Sequence, residues 1–152
     1  MKKITIILGV LCVLFMTGCG AKEKNIEGSL EDIMTKVYEG IKEEDLPMML
    51  ANTKIDDQNI ESYLGTKDIS YVEGIASESQ VGSIAHSVVL LRMSEDADIE
   101  KTKETIKKNA NPRKWICVEA SNVYVESNGN LVILIMSNEN ADMIKTNFLN
   151  LK

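Results

Sequence analysis

The side chains of this chain that could do chemistry are few and scattered. His86 is the one histidine, and it stands in GSIAHS, residues 82 to 87, with Ser83 and Ser87 close by. A serine beside a histidine is the start of an acyl-transfer site, in which the imidazole takes the hydroxyl proton. That chemistry also needs a group that orients the imidazole and donors for the oxyanion. No G-x-S-x-G turn, which would present a nucleophile at a strand end, occurs in the sequence. His86 therefore reads as a structural or surface histidine. Cys117 offers a second nucleophile, but a reactive thiol needs accessible, electropositive surroundings. Between Ile116 and Val118 in a strand-like run, Cys117 reads as a small buried hydrophobe.

The segment NPRKW, residues 111 to 115, carries the most suggestive recognition chemistry. Arg113 can grip a carboxylate or phosphate through two parallel N–H donors. Lys114 adds a second cation in an acidic chain, and Trp115 offers a face on which a sugar ring could stack. The same residues suit a simpler structural role. Cations near Asn111-Pro112 complement a helix C-terminus, and Trp115 starts the next strand in the core. His86, Arg113, Lys114 and Trp115 are thus the residues to follow as ligand or partner contacts. No catalytic set emerges. The acids of SEDADIE, residues 94 to 100, lack the D-x-[DN]-x-[DN]-G order of a calcium loop, and one histidine with one cysteine in the domain cannot close a zinc site. No metal or other cofactor is expected.

Amphipathic elements must position these residues. Ser29 reads as an N-cap, and Leu30, Ile33, Met34, Val37, Tyr38 and Ile41 form a helical stripe behind it. Pro47 interrupts the irregular run LPMML, residues 46 to 50. A short helix capped by Asp56 or Asp57 carries Ile60, Tyr63 and Leu64 up to Gly65. Residues 68 to 79 and 84 to 93 read as strands, the second with Val88 to Leu91 covered on both faces. A helix over Ile99, Thr102, Ile106 and Ala110 ends before Asn111-Pro112. Residues 115 to 126 read as a strand, Asn128-Gly129 as a type I′ hairpin turn, and Leu131 to Met136 as a central strand. A last helix over Ala141, Ile144, Phe148 and Leu151 is capped from Ser137 or Asn138. The order is α-α-β-β-α-β-β-α. The fold class is α+β, a mostly antiparallel sheet of about four strands with helices packed on it.

The N-terminus sets an expected compartment. Lys2 and Lys3 precede an apolar run from Ile4 to Phe15. That run is shorter than the roughly 20 residues needed to span a bilayer and suits the hydrophobic part of a signal peptide. It ends Met16-Thr17-Gly18-Cys19, which resembles the bacterial lipobox, with Met in place of the usual Leu. The resemblance implies cleavage after Gly18 and lipidation of the Cys19 thiol. Two acyl chains would hold the protein stably on the outer face of the membrane. Residues 1–18 are then a lipoprotein signal peptide, 19–28 the lipid anchor and a flexible tether, and 29–152 a single α+β domain. With Cys12 removed and Cys19 lipidated, Cys117 is the one cysteine left, so no internal disulfide is available.

Removing residues 1–18 takes away two lysines and no acid, which moves the net charge from -6 to -8. An acidic domain without a basic run disfavours nucleic acid as a partner. The stretches IMTKVYEGI, LPMML, YLGT, GSIAHSVVLLR, NPRKWICV and LVILIMSNE together resemble the domain-of-unknown-function family DUF4358, short lipoproteins of Gram-positive bacteria. The resemblance spans nearly the whole mature chain. It carries no assigned activity. Genes of that family lie near those of membrane-bound O-acyltransferases, a context that suggests envelope polysaccharide modification and says nothing about these residues. The expected protein is a membrane-anchored extracytoplasmic lipoprotein, a non-enzymatic module that binds another envelope protein or a small polymer fragment. The alternative is an accessory subunit or enzyme in cell-envelope polysaccharide modification. An enzyme predicts a cleft that opens onto His86. A binding module predicts an exposed apolar or aromatic patch.

Overall fold

The computed structural model describes residues 25–152. The signal peptide expected over 1–18, the lipidation expected at Cys19 and the first part of the expected tether lie outside the described residues. The chain is packed from Ile26 onward, ahead of the domain start expected at residue 29. Ile26 is buried, its N–H donates to Asn130 Oδ1 at 3.0 Å, and Arg92 donates to the carbonyls of Ile26 and Gly28.

Helix α1, Leu30–Val37, starts where Ser29 Oγ accepts from the Asp32 N–H at 3.1 Å. Its buried stripe is Leu30, Ile33, Met34 and Val37. Tyr38 and Ile41 follow the stripe beyond the helix end. A 3-10 turn, Glu43–Asp45, leads to strand β1, Leu50–Lys54, and a short helix α2, Ile60–Leu64. Gly65 closes α2 in the left-handed conformation at φ +74°, as a glycine C-cap should. Strands β2, Glu73–Ser79, and β3, His86–Arg92, precede helix α3, Ile99–Asn109, whose N-cap Asp98 accepts from the Lys101 N–H. Strands β4, Asn122–Asn128, and β5, Leu131–Ser137, form a hairpin, and helix α4, Ala141–Leu149, ends the fold.

The five strands make one antiparallel sheet in the order β1-β2-β3-β5-β4. Every residue of β5 and all but the last of β3 are buried, because helices cover both faces. On one face Ile75, Val88, Leu90, Ile133 and Ile135 pack against α1 and α4. On the other, Ala76, Val89, Leu91, Val132 and Leu134 pack against α2, α3 and the 110–120 connection. Each fully buried aliphatic side chain contributes about 1.5–3 kcal/mol by leaving water, so the two-sided core needs no disulfide.

The α+β class stands, with corrections in detail. Among the described residues there are five strands rather than about four. The fifth is β1, an edge strand whose residues are at most half-buried. It is held by backbone pairing to β2, so little hydrophobic pattern marks it. The strand expected over residues 115–126 begins only at Asn122. Residues 115–121 instead turn back over the sheet end, tied by Ile116 N–H to Gly82 O at 2.9 Å and Ala120 N–H to Pro112 O at 2.8 Å. The hairpin turn is Gly129-Asn130, because Asn128 already pairs with Leu131. Of these two turn residues only Gly129 has positive φ, the pattern of a II′ turn rather than the expected I′. Asn128 is held elsewhere, its amide donating to the carbonyls of Phe148 and Leu149 at the end of α4 and of Leu151 just past it. The N-cap of α4 is Asn140, in place of Ser137 or Asn138.

Candidate functional site

Strand alternation sends His86 and Ser87, consecutive on β3, to opposite faces of the sheet. Each seats a polar cluster at the sheet end where β2 and β5 finish and β3 begins.

On the α3 side, Lys114 reaches down from the 110–120 connection. Its Nζ lies 2.7 Å from Glu78 Oε2 and 3.2 Å from Ser87 Oγ. Glu78 and Ser87 are themselves register partners across β2 and β3. The ammonium also sits 5.1 Å from the Tyr63 ring centroid and 5.2 Å from that of Trp115, so two aromatic faces flank one cation. Burial pulls the Lys114 ammonium below the ordinary lysine range, and the hydrogen bond and charge of Glu78 work against that pull. The cluster forms part of the wall of an open cleft of about 810 Å³, which Arg113, Asn111, Gln80 and Ile116 also line. An ammonium has three protons, and the described residues engage two, at Glu78 and Ser87.

The four residues singled out from sequence therefore separate. Lys114 and Trp115 converge in the cleft. Arg113 stands at its edge, its side chain 77% exposed and 3.4 Å from Glu119, a surface pair of little energetic weight. His86 lies on the other face. Trp115 is only half-buried and belongs to no strand, which corrects the expectation that it opens one in the core. Its Nε1 is buried without a hydrogen-bond partner among the described residues. Cys117 is exposed, with φ +62°, rather than a buried strand residue. Residues 115–121 turn there instead of running as a strand, which leaves the thiol outside the core.

On the α1 side, His86 is 1% exposed. Its Nε2 is 2.7 Å from Tyr38 Oη and its Nδ1 is 2.8 Å from Ser137 Oγ. The proton positions follow from the network. Ser137 Oγ donates to Glu139 O at 2.7 Å, and a carbonyl can only accept. Ser137 must then accept from His86 Nδ1–H, which leaves Nε2 unprotonated to accept from the Tyr38 hydroxyl. Burial depresses the His86 pKa to about 4, so the imidazole is neutral at pH 7. Burial likewise pushes the Tyr38 phenol up, against a smaller downward pull from Ser77. The protons run in one direction, from Tyr38 to His86, from His86 to Ser137, and from Ser137 to the Glu139 carbonyl. Ser83, proposed from sequence as a neighbour of His86, is exposed, and Tyr38 and Ser137 take its place.

Comparison with protein-family models, curated proteins and solved structures gives no match. Among the described residues, no helix is long and apolar enough to cross a membrane, and no group of three or more His, Cys, Asp or Glu side chains is placed to hold a metal.

Sequence reasoning missed Tyr38, Tyr63, Glu78 and Ser137 as partners. Tyr38 lies on the helical stripe and so passes for a core residue. Glu78 carried the one usable signal, a carboxylate inside a strand, which invites a search for a cation across the sheet.

Proposed function

We propose that this protein is a lipid-anchored extracytoplasmic lipoprotein whose domain is a non-enzymatic interaction module, with another envelope protein as its partner. The observation that carries the reading is a set of exposed apolar side chains beside the Lys114 cleft. Met48, Met49 and Ile116 are 69%, 67% and 72% exposed. They flank one turn: Gln80 N–H donates to Met49 O at 3.1 Å, and Ile116 N–H donates to Gly82 O at 2.9 Å. Exposed methionines and an isoleucine next to Arg113 and Trp115 have the composition of a protein-binding surface, apolar and aromatic with arginine at the rim.

The position of this surface supports the reading. The chain leading back toward Cys19 is pinned by Asn130 and Arg92 at the hairpin end of the sheet. The exposed set lies at the opposite end, about 20 Å away along the seven residues of β5. A protein tethered from the hairpin end would present the set away from the bilayer. His86 favours binding over catalysis, since its two ring nitrogens are engaged within the protein and it does not line the Lys114 cleft. The family resemblance and the lipobox agree with this setting and add no chemistry.

The test is a photo-crosslinking side chain placed at Ile116, at Met49 and, as control, at Thr146 on the exposed side of α4, in cells that make the lipoprotein. One envelope protein captured from positions 116 and 49 and not from 146 is the expected result. Equal capture from all three, or none, sinks the interaction surface. Separately, Cys19→Ser should release the protein from membranes, and an unchanged membrane fraction removes the anchor.

A further inference from the structure

A second cavity, of about 790 Å³, lies on the His86 side of the sheet, between the C-terminal end of α1, the 38–50 connection, the edge strand β1 and its neighbour β2. Its apolar wall is Met34, Ile41, Leu46 and Leu50, and its polar lining includes Tyr38, Ser77 and, opposite Ser77 on β1, the neutral amide of Asn52. The volume is that of an ordinary small-molecule site. Ser77 is 1% exposed, and its Oγ has no hydrogen-bond partner among the described residues. Its hydroxyl acts on the Tyr38 phenol as a weak hydrogen-bond donor that pulls it down, short of the geometry of a full hydrogen bond. A buried hydroxyl left unpaired costs roughly 1–3 kcal/mol. That is a reason to look for what pairs with it.

The proton directions in the His86 line define the partner. Tyr38 gives its only proton to His86 Nε2, so its oxygen can only accept from anything in the cavity. Ser77 can both donate and accept. We propose that this cavity binds a neutral amphiphile, with an aliphatic chain against Met34, Ile41, Leu46 and Leu50 and an alcohol or amide head at Tyr38 Oη and Ser77 Oγ. Such a head donates to the phenol oxygen and accepts from the serine. A carboxylate or phosphate head brings only lone pairs to the phenol oxygen and finds a neutral imidazole behind it. On the exposed rim Lys36 and Glu39 carry one charge of each sign, which favours neither cation nor anion. This inference concerns the face opposite the Lys114 cleft and stands independently of the interaction surface.

The test uses the full-length protein in its own membranes and a medium-chain primary alcohol carrying a photoreactive diazirine, with the labelled residues mapped by mass spectrometry. The expected result is saturable labelling within residues 34–50, displaced by octanol and not by octanoate. Ser77→Ala, which leaves the packing of β2 intact, should lower that labelling about fivefold, the effect of one hydrogen bond. Leu50→Trp, which fills the cavity, should abolish it, with protease resistance as the check that the fold survives. Labelling that does not saturate or that ignores both variants overturns the site. Displacement by octanoate as readily as by octanol overturns the neutral-head specificity.

Discussion

Ser137 accepts a 2.8 Å hydrogen bond from Nδ1 of His86, the residue facing it across the β3–β5 ladder, and passes its own proton to Glu139 O. This fixes His86 as the neutral, Nδ1-protonated tautomer, in a site that offers no anion to a charged imidazole. The folded-state pKa of about 4 lies below the ordinary 6.5, so between those values the unfolded chain binds the extra proton and the native protein does not. Stability from this residue is present above pH 6.5 and is lost as pH falls toward 4. The loss by pH 4 is on the order of 3 kcal/mol. Urea unfolding at pH 7, 5.5 and 4 should show wild type losing that much more stability than His86→Gln. Parallel pH curves for the two proteins would refute the assignment.

Lys114 and Glu78 form an ion pair whose side chains are 14% and 20% exposed. Lys114→Met strands the carboxylate beside Ser87 and the aromatic rings. The expected loss is about 2 kcal/mol, below the 3–5 kcal/mol of a fully buried pair because some water reaches this one. Adding Glu78→Leu should recover most of it. A double-mutant cycle in urea reads the coupling, and strictly additive effects would mean the pair contributes nothing.

Gly65 is held by two constraints at once. It has φ +74°, and a Cβ built on it would lie 2.0 Å from Asn109 O at the end of α3. Gly65→Ala should therefore cost on the order of 3 kcal/mol and separate α2 from α3. Gly40 is the internal control, since it has φ +79° and nothing within 4 Å. Gly40→Ala should cost about 1 kcal/mol, from backbone strain alone. Similar thermal shifts for the two variants would show that the close approach is relieved without penalty.

Cys117 is exposed and has φ +62°, a left-handed backbone unusual for a side chain with a Cβ. Its thiol should react with an alkylating reagent in the native protein without denaturant, read as modification of the peptide containing residue 117. Cys117→Gly should raise stability by about 1 kcal/mol through relief of that backbone. A thiol protected until the protein unfolds would restore the buried reading made from its apolar neighbours.

The helices and central strands were legible because local pattern and burial agree there. Ser29 and Asp98 cap the helices they precede, Gly65 ends α2, and the apolar runs of β3 and β5 are covered on both faces. The α+β class follows from those elements alone. Where burial does not select the side chains, pattern misled. Strand β1 is an edge held by backbone bonds, and the run around Cys117 has strand composition but no neighbouring strand with which to pair.

The sequence by itself determined which groups were available: one histidine, the cations and tryptophan of residues 113–115, and the cysteines at positions 19 and 117. Their partnerships were decided by tertiary structure alone. Tyr38 meets His86 from 48 positions away, and Lys114 meets Glu78 from 36. Such contacts depend on strand order and on which face each residue takes, and strand order is set by the packing of two helical layers against one sheet. No local spacing records it. The same alternation that puts His86 and Ser87 on opposite faces separates an enclosed neutral histidine from a lysine in an open cleft.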